Sequence, residues 1–202
     1  MDRENSQVCR VLEEASFLVS REKEAARNAG SSEGRKRKQI EALKTFALQN
    51  DLLIDLSVLH LTFLSKGGEN EVFTGDDDFV LKLNNFEYAG DDLTRFFFRI
   101  NAHNQLFSNV SYEMIGFAYN AQHEFCAVLI QPYIPAKREA TEDEIITYME
   151  ALGFEMDYID EFHNAIYEVF DAVPNNVLYG LDDDLYFIDT QIRQLHEDGI
   201  HS

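Results

Sequence analysis

Positive charge is scarce in this chain. Lys and Arg number 17 against 37 Asp and Glu, for a formal net charge of −20. The scarcity is uneven: residues 1–45 hold ten cations and eight acids, residues 46–202 only seven cations and twenty-nine acids. So acidic a body repels nucleic acid and anionic membrane, and neither is expected as a partner. The one basic run, Arg35-Lys36-Arg37-Lys38, lacks interleaved aromatics and reads as a solvated linker. Cysteine is sparse too. Cys9 and Cys126 sit far apart in unlike segments, which argues against a disulfide framework and for a reducing, cytoplasmic setting. The polar, charged N-terminus does not read as a secretory signal. No apolar run is long enough to span a bilayer. The histidines are scattered at 60, 103, 123 and 163, with 196 and 201 in a polar tail, so zinc-ligand spacing is missing. Neither cysteine has a His-Asp arrangement near it. Asp182-Asp183-Asp184 lacks the spacing and terminal Glu of a calcium loop and reads as a hairpin turn.

What the chain does have is a full core: 45 % of its 202 residues are apolar, enough for one domain of ordinary size with an appendage. Apolar spacing predicts a charged helix over 4–28, with Val8, Val11, Leu12, Ala15, Leu18 and Val19 on one face. A breaker cluster at 28–34 precedes a second helix over 36–50, on which Ile40, Leu43, Phe46 and Ala47 align. These two form an expected N-terminal helical extension, residues 1–50. Strands are predicted over 56–64, 71–74 and 79–83, joined by turns at 66–70 and 75–78. A helix over 91–106 follows, capped by Asp91 and Asp92. Strands at 112–119 and 125–130 come next, then a pattern break at 131–134. Helices are predicted over 141–152, where Thr141 to Glu144 reads as a capping box, and over 158–169. A polar loop and a short hairpin ending at Asp189 complete the order, with a thirteen-residue tail.

The chemistry concentrates in that loop. In Asp171-Ala-Val-Pro-Asn-Asn176 an aspartate and an asparagine stand five positions apart, and the strand-like run Leu185-Tyr-Phe-Ile188 delivers Asp189 eighteen after the first. A phosphoryl-transfer site needs one carboxylate to orient the attacking hydroxyl. It also needs an amide and a second carboxylate to hold magnesium. By itself the spacing is also that of a polar turn, with Pro174 and the Asn pair as turn formers; the strand-borne Asp189 tips the balance. Lys82 lies on an otherwise apolar strand and must find an anion, which a nucleotide phosphate would supply, or snorkel at a sheet edge. Gly67-Gly68 joins two strands one hairpin earlier, as a phosphate-covering loop or a plain turn. At 131–134, backbone groups could meet an adenine edge. Strands, connector, helices and polar loop follow one another as in a kinase: a sheet lobe, a hinge and a helical lobe.

These residues resemble the kinase domain of polyvalent proteins, large multidomain proteins of phages and conjugative elements. The matching stretches are Gly67-Gly-Glu-Asn-Glu-Val72, Val80-Leu-Lys-Leu-Asn-Asn85, Arg99-Ile-Asn-Ala-His-Asn-Gln-Leu-Phe107, Gln131-Pro-Tyr-Ile134, Arg138-Glu-Ala-Thr-Glu142, Asp171-Ala-Val-Pro-Asn-Asn-Val-Leu178 and Tyr186-Phe-Ile-Asp-Thr-Gln-Ile-Arg193. They extend over about 53–193. The resemblance implies an α+β, two-lobed protein-kinase-like fold with a small antiparallel sheet lobe (about 53–130), a hinge (131–134) and a short helical lobe (135–202). It implies an ATP- and magnesium-dependent serine/threonine/tyrosine kinase with an unknown protein or small-molecule acceptor. By the wider kinase pattern Asp171 is the catalytic base and Lys82 the phosphate-binding lysine. Asn176 and Asp189 are the metal ligands, and Gly67, Gly68, Val72, Val80, Gln131 and Tyr133 complete the nucleotide site. The Ile-Asp ending without Phe-Gly is closer to aminoglycoside phosphotransferases and RIO-type kinases than to eukaryotic signalling kinases.

The chain departs from that pattern in three places. Val169-Phe170 replace His-Arg before Asp171, and Val173 stands where many kinases have a lysine. No acid occurs over 93–111, where the helix Glu that pairs with the strand lysine belongs. Asn101, Asn104, Glu69 or Asp92 are the candidates to replace it. The missing acid and short C-terminal part suit a second reading, a catalytically silent nucleotide-binding or protein-interaction module.

Overall fold

The computed structural model describes residues 2–28, 34–75 and 78–195, the first eight of these in backbone only. The expected breaker cluster at 28–34 and the turn at 75–78 therefore lie largely outside the described residues, as do His196 and His201. The fold is mixed α+β, with four helices and three antiparallel sheets among the described residues. The chain divides into two compact units. One comprises the chain up to Phe98 with Tyr112–Tyr133, the other Arg99–Ser111 and the chain from Ile134 onward. No helix among the described residues is long and apolar enough to cross a membrane.

In the first unit, α1 (Asp2–Asn28) and α2 (Arg35–Gln49) form where apolar spacing places them. Val11, Leu12, Ala15 and Val19 of α1 and Leu43 and Ala47 of α2 are buried, which is the predicted stripe. The two helices pack on each other, and α1 also packs on β4. The sheet holds β1 (Thr62–Lys66), β2 (Asn70–Thr74), β3 (Phe79–Asn84), β4 (Glu113–Tyr119) and β5 (Phe125–Pro132), in the order β1-β2-β3-β5-β4. Two boundaries differ from expectation. The strand expected over 56–64 starts at Thr62, because Asp55 accepts from the Ser57 N–H and Oγ and stabilises a 3-10 turn at Leu56–Val58. β5 continues to Pro132, since Phe79 and Val80 of β3 pair with Pro132 and Gln131. α3 (Thr94–Leu106) is capped by Asp92, whose Oδ1 accepts from the Thr94 N–H.

The second unit is not the helical lobe that was expected. Its strands are β6 (Ala136–Glu139), β7 (Glu155–Tyr158), β8 (Glu161–His163), β9 (Tyr167–Phe170), β10 (Val177–Gly180), β11 (Leu185–Phe187) and β12 (Gln191–Gln194). α4 (Glu142–Ala151) has the predicted capping box, with Thr141 and Glu144 exchanging side-chain to backbone hydrogen bonds. The helix expected over 158–169 is replaced by strands. Asn164 Oδ1 accepts from the N–H groups of both Ile166 and Tyr167, closing a turn that a helix could not contain. Phe162 and Val169 then pair across β8–β9, and both are buried. The C-terminal tail supplies β12, which pairs along all of β9. The two sheets of this unit run β11-β10-β6 and β12-β9-β8-β7.

Candidate active site

Strand register gathers most of the expected nucleotide-binding residues of the first unit on one sheet face. Val72 lies opposite Lys82, Thr74 opposite Val80, and Val80 opposite Gln131. Directly opposed side chains share a face, so Val72, Val80, Lys82 and Gln131 form one patch. The alternate positions, Leu81, Leu83, Cys126 and Val128, turn the other way into an apolar cluster with Ile54, Leu61 and Phe73. Burial in that setting raises the Cys126 thiol to about 12, which leaves it an inert core residue. Lys82 is only 5 % exposed, so it does not snorkel at an edge. Its Nζ donates to Tyr112 Oη at 3.3 Å and lies 5.2 Å from the Tyr112 ring centre.

Gly67 and Gly68 form the β1–β2 turn, closed by the Gly67 N–H to Asn70 O at 2.8 Å. At Gly68 a Cβ would stand 1.7 Å from the hydroxyl of the exposed Tyr88, so a larger residue there requires that ring to move aside. Tyr133 is half exposed, and its N–H is spent on Asp78 O at 2.9 Å. The backbone at 131–133 is therefore more engaged in strand pairing than the sequence suggested.

The second unit brings Asp171, Asn176 and Asp189 together, and two strand ladders explain how. Phe170 of β9 pairs with Gln191 of β12, which sets Asp171 beside the residues just before β12. Val177 of β10 pairs with Phe187 of β11, and the Ile188 N–H reaches Asn176 O at 2.9 Å. Asp189 is thus held at the corner where β11 ends and β12 begins, next to both partners. Pro174–Asn176 form a 3-10 turn, and Asn176 Nδ2 donates to Asp171 O at 3.0 Å. Asp171 has φ +61°, a left-handed conformation uncommon outside glycine and of the kind that clusters at functional sites. Its carboxyl is raised above the ordinary range, first by burial and then by the negative charge of Asp189. The Asn176 amide opposes the shift and Asp160 adds to it. Asp160 was not singled out in the sequence, yet its carbonyl accepts from the Ala172 N–H at 3.4 Å.

A family model described as serine/threonine/tyrosine kinase found in polyvalent proteins matches residues 36–196. The chain belongs to this family. No curated protein matches it. The match takes in α2 and every candidate residue, and leaves out α1.

Tyr112, which meets Lys82, was marked by no sequence signal. One candidate replacement is corrected. Asp92 does not serve Lys82: Lys23 Nζ lies 2.9 Å and Arg35 Nη1 3.5 Å from its Oδ2, while Gln39 Nε2 donates to Oδ1 at 3.0 Å. Although burial opposes it, hydrogen bonds from Gln39, Lys23 and Thr94 hold the Asp92 carboxyl far below its usual range. Gln39, itself buried, also donates to Val19 O and accepts from the Leu93 N–H, so it ties α1, α2 and the start of α3 together. Asp182, Asp183 and Asp184 form the β10–β11 turn and are bonded by Tyr186, by Lys137 and Tyr179, and by Asn109.

Proposed function

We propose that this protein is an ATP- and magnesium-dependent phosphotransferase. The observation that carries the proposal is the convergence of Asp171, Asn176 and Asp189 at one corner of two strand ladders. In this reading Asp171 receives the proton of an acceptor hydroxyl as its oxygen bonds to the γ-phosphorus and the bond to ADP breaks. A carboxylate whose pKa is raised by its surroundings is a stronger base for that step. Lys82 pairs with nucleotide phosphate, and Gly67 and Gly68 permit close backbone approach. Val72, Val80, Gln131 and Tyr133 contact the nucleotide.

Asn176 and Asp189 suit magnesium, which takes hard oxygen donors and needs only one or two protein ligands when phosphates supply the rest. The like charges of Asp171 and Asp189 are what a cation would relieve. Bound magnesium would neutralise charge on the phosphates; the chain's part is to hold the two donors and keep Asp171 oriented through its backbone bond to Asn176.

The second reading, a silent nucleotide-binding module, draws on the acid-free α3 and on Lys82 resting on Tyr112. Transfer from labelled ATP to the protein itself and to a cell extract separates the two. Asp171→Asn should cut transfer about 10²–10⁴-fold with ATP binding nearly unchanged, and Asp189→Asn should weaken magnesium-nucleotide binding. A wild type that binds ATP but labels nothing beyond the Asp171→Asn level leaves the silent module standing.

A further inference from the structure

Next to Asp171 lies a surface that the phosphotransferase reading leaves unused. The β7–β8 hairpin reads Glu155-Met-Asp-Tyr-Ile-Asp-Glu161, four acids and no Lys or Arg in seven residues. β7 is the edge of its sheet, and all its residues are exposed. Met156 is 44 %, Tyr158 69 % and Ile159 58 % exposed. Scattered apolar side chains on a surface are ordinary, but Met156 and Tyr158 on an open strand edge, with Ile159 in the turn that follows, form an adhesive template. The tip of the hairpin is fixed to the Asp171 loop by the Ala172 N–H to Asp160 O bond. Behind the edge, His163 stands between Asp157 at 2.9 Å and Glu155 at 4.0 Å.

We propose that the β7 edge docks an extended, basic segment of a protein acceptor by strand addition. Tyr158 and Ile159 anchor its apolar side chains, and Glu155, Asp157 and Glu161 meet its Lys or Arg residues. Strand addition supplies affinity through main-chain bonds and specificity through alternate side chains. Charge selects the partner. A second copy would set four acids against four on a chain of net charge −20, and like charges across an interface are strongly disfavoured. The inference rests on the phosphotransferase reading, and it makes the acceptor a protein rather than a small molecule, since strand addition takes up an extended peptide.

The test uses a fluorescent twelve-residue peptide alternating Lys and Val around a central Ser, with the full chain and no nucleotide. Controls are the same peptide with Glu for Lys, and one N-methylated at alternate backbone nitrogens. The basic peptide should bind with an affinity that falls as salt rises. The N-methylated peptide should bind about tenfold more weakly. A Tyr158→Ser/Ile159→Ser double variant should lose about tenfold in affinity with an unchanged thermal midpoint, because both side chains are solvent-exposed. Glu155→Gln/Glu161→Gln should weaken only the basic peptide. The proposal is overturned if acidic and basic peptides bind alike, or if the double variant binds as wild type. It is equally overturned if wild type self-associates and the double variant does not, which would assign the edge to a second copy. Peptide binding without transfer from ATP-magnesium upholds the docking and sinks the phosphotransferase reading; transfer to extract proteins without peptide binding does the reverse.

Discussion

Asp171→Asn removes a charge that the fold holds unfavourably, so this catalytic-loop substitution should stabilise the unliganded protein. Asn tolerates the left-handed φ of +61° as Asp does, and the backbone bond from Asn176 Nδ2 to residue 171 O is untouched. What disappears is a carboxylate raised by burial and by the charges of Asp189 and Asp160. The sign follows from linkage. A raised carboxyl pKa means the folded chain binds the proton more tightly than the unfolded chain. The penalty is therefore fully present above the folded pKa and fades as pH falls towards the unfolded value of about 3.9. Burial of Asp171 is only partial and more than a third of the residue is exposed, so screening keeps the penalty to about 0.5–1 kcal/mol. For a chain of this size that corresponds to a rise in Tm of roughly 1–4 °C at pH 7. The gain should shrink in high salt and vanish near pH 4. Asp171→Ala removes the same charge but places an alanine in the left-handed region at about 1 kcal/mol, so its gain should be cancelled. Thermal melts of the three proteins at pH 4, 5.5 and 7, without divalent metal, measure all of this. A lower Tm for Asp171→Asn at pH 7, or an equal gain at pH 4 and 7, would refute the electrostatic reasoning.

Two further substitutions probe the first unit. Asp92→Ala removes the α3 cap, worth about 1 kcal/mol, and strands the buried donor of Gln39, about 1–3 kcal/mol more. Urea melts should show a loss of about 2–4 kcal/mol at pH 7. Because the Asp92 pKa is depressed, its stabilisation is complete above about pH 3.9 and is lost only as pH falls through the lower folded value; a midpoint equal to wild type at pH 7 would deny the network. Gly116→Ala puts a Cβ 2.5 Å from Leu52 O, at a φ of +155°. It should break the Phe117 N–H to Leu52 O and Ile54 N–H to Phe117 O bonds, at about 2–3 kcal/mol. Hydrogen exchange at the Ile54 and Phe117 amides should accelerate, and unchanged protection would contradict the close approach.

The sequence by itself determined the features that local chemistry encodes. α1 and α2 follow from a helical apolar stripe, and α4 from the Thr141–Glu144 box. β2, β3, β4, β5 and the β10–β11 hairpin follow from apolar runs between turn formers. Asp171, Asn176 and Asp189 stood out through the five-residue spacing together with the apolar, strand-like run that carries Asp189. Pairing decided the rest. Residues 158–169 carry apolar side chains compatible with either period, and only the turn at Asn164 and a partner strand more than twenty residues downstream make them β8 and β9. That partner, β12, lay in what read as a tail. Without it the corner that sets Asp189 beside Asp171 could not be foreseen, although both residues were named. Lys82 was legible as a lysine in need of a partner, but Tyr112 lies thirty residues away and enters through the β3–β5–β4 sheet. Asp92 was legible as a cap, and its capture by Lys23, Arg35 and Gln39 depended on helices far earlier in the chain. Periodicity and capping act within a few residues and are written locally. Strand partners and buried charge pairs join distant segments, and their identity is fixed only when the whole chain has packed.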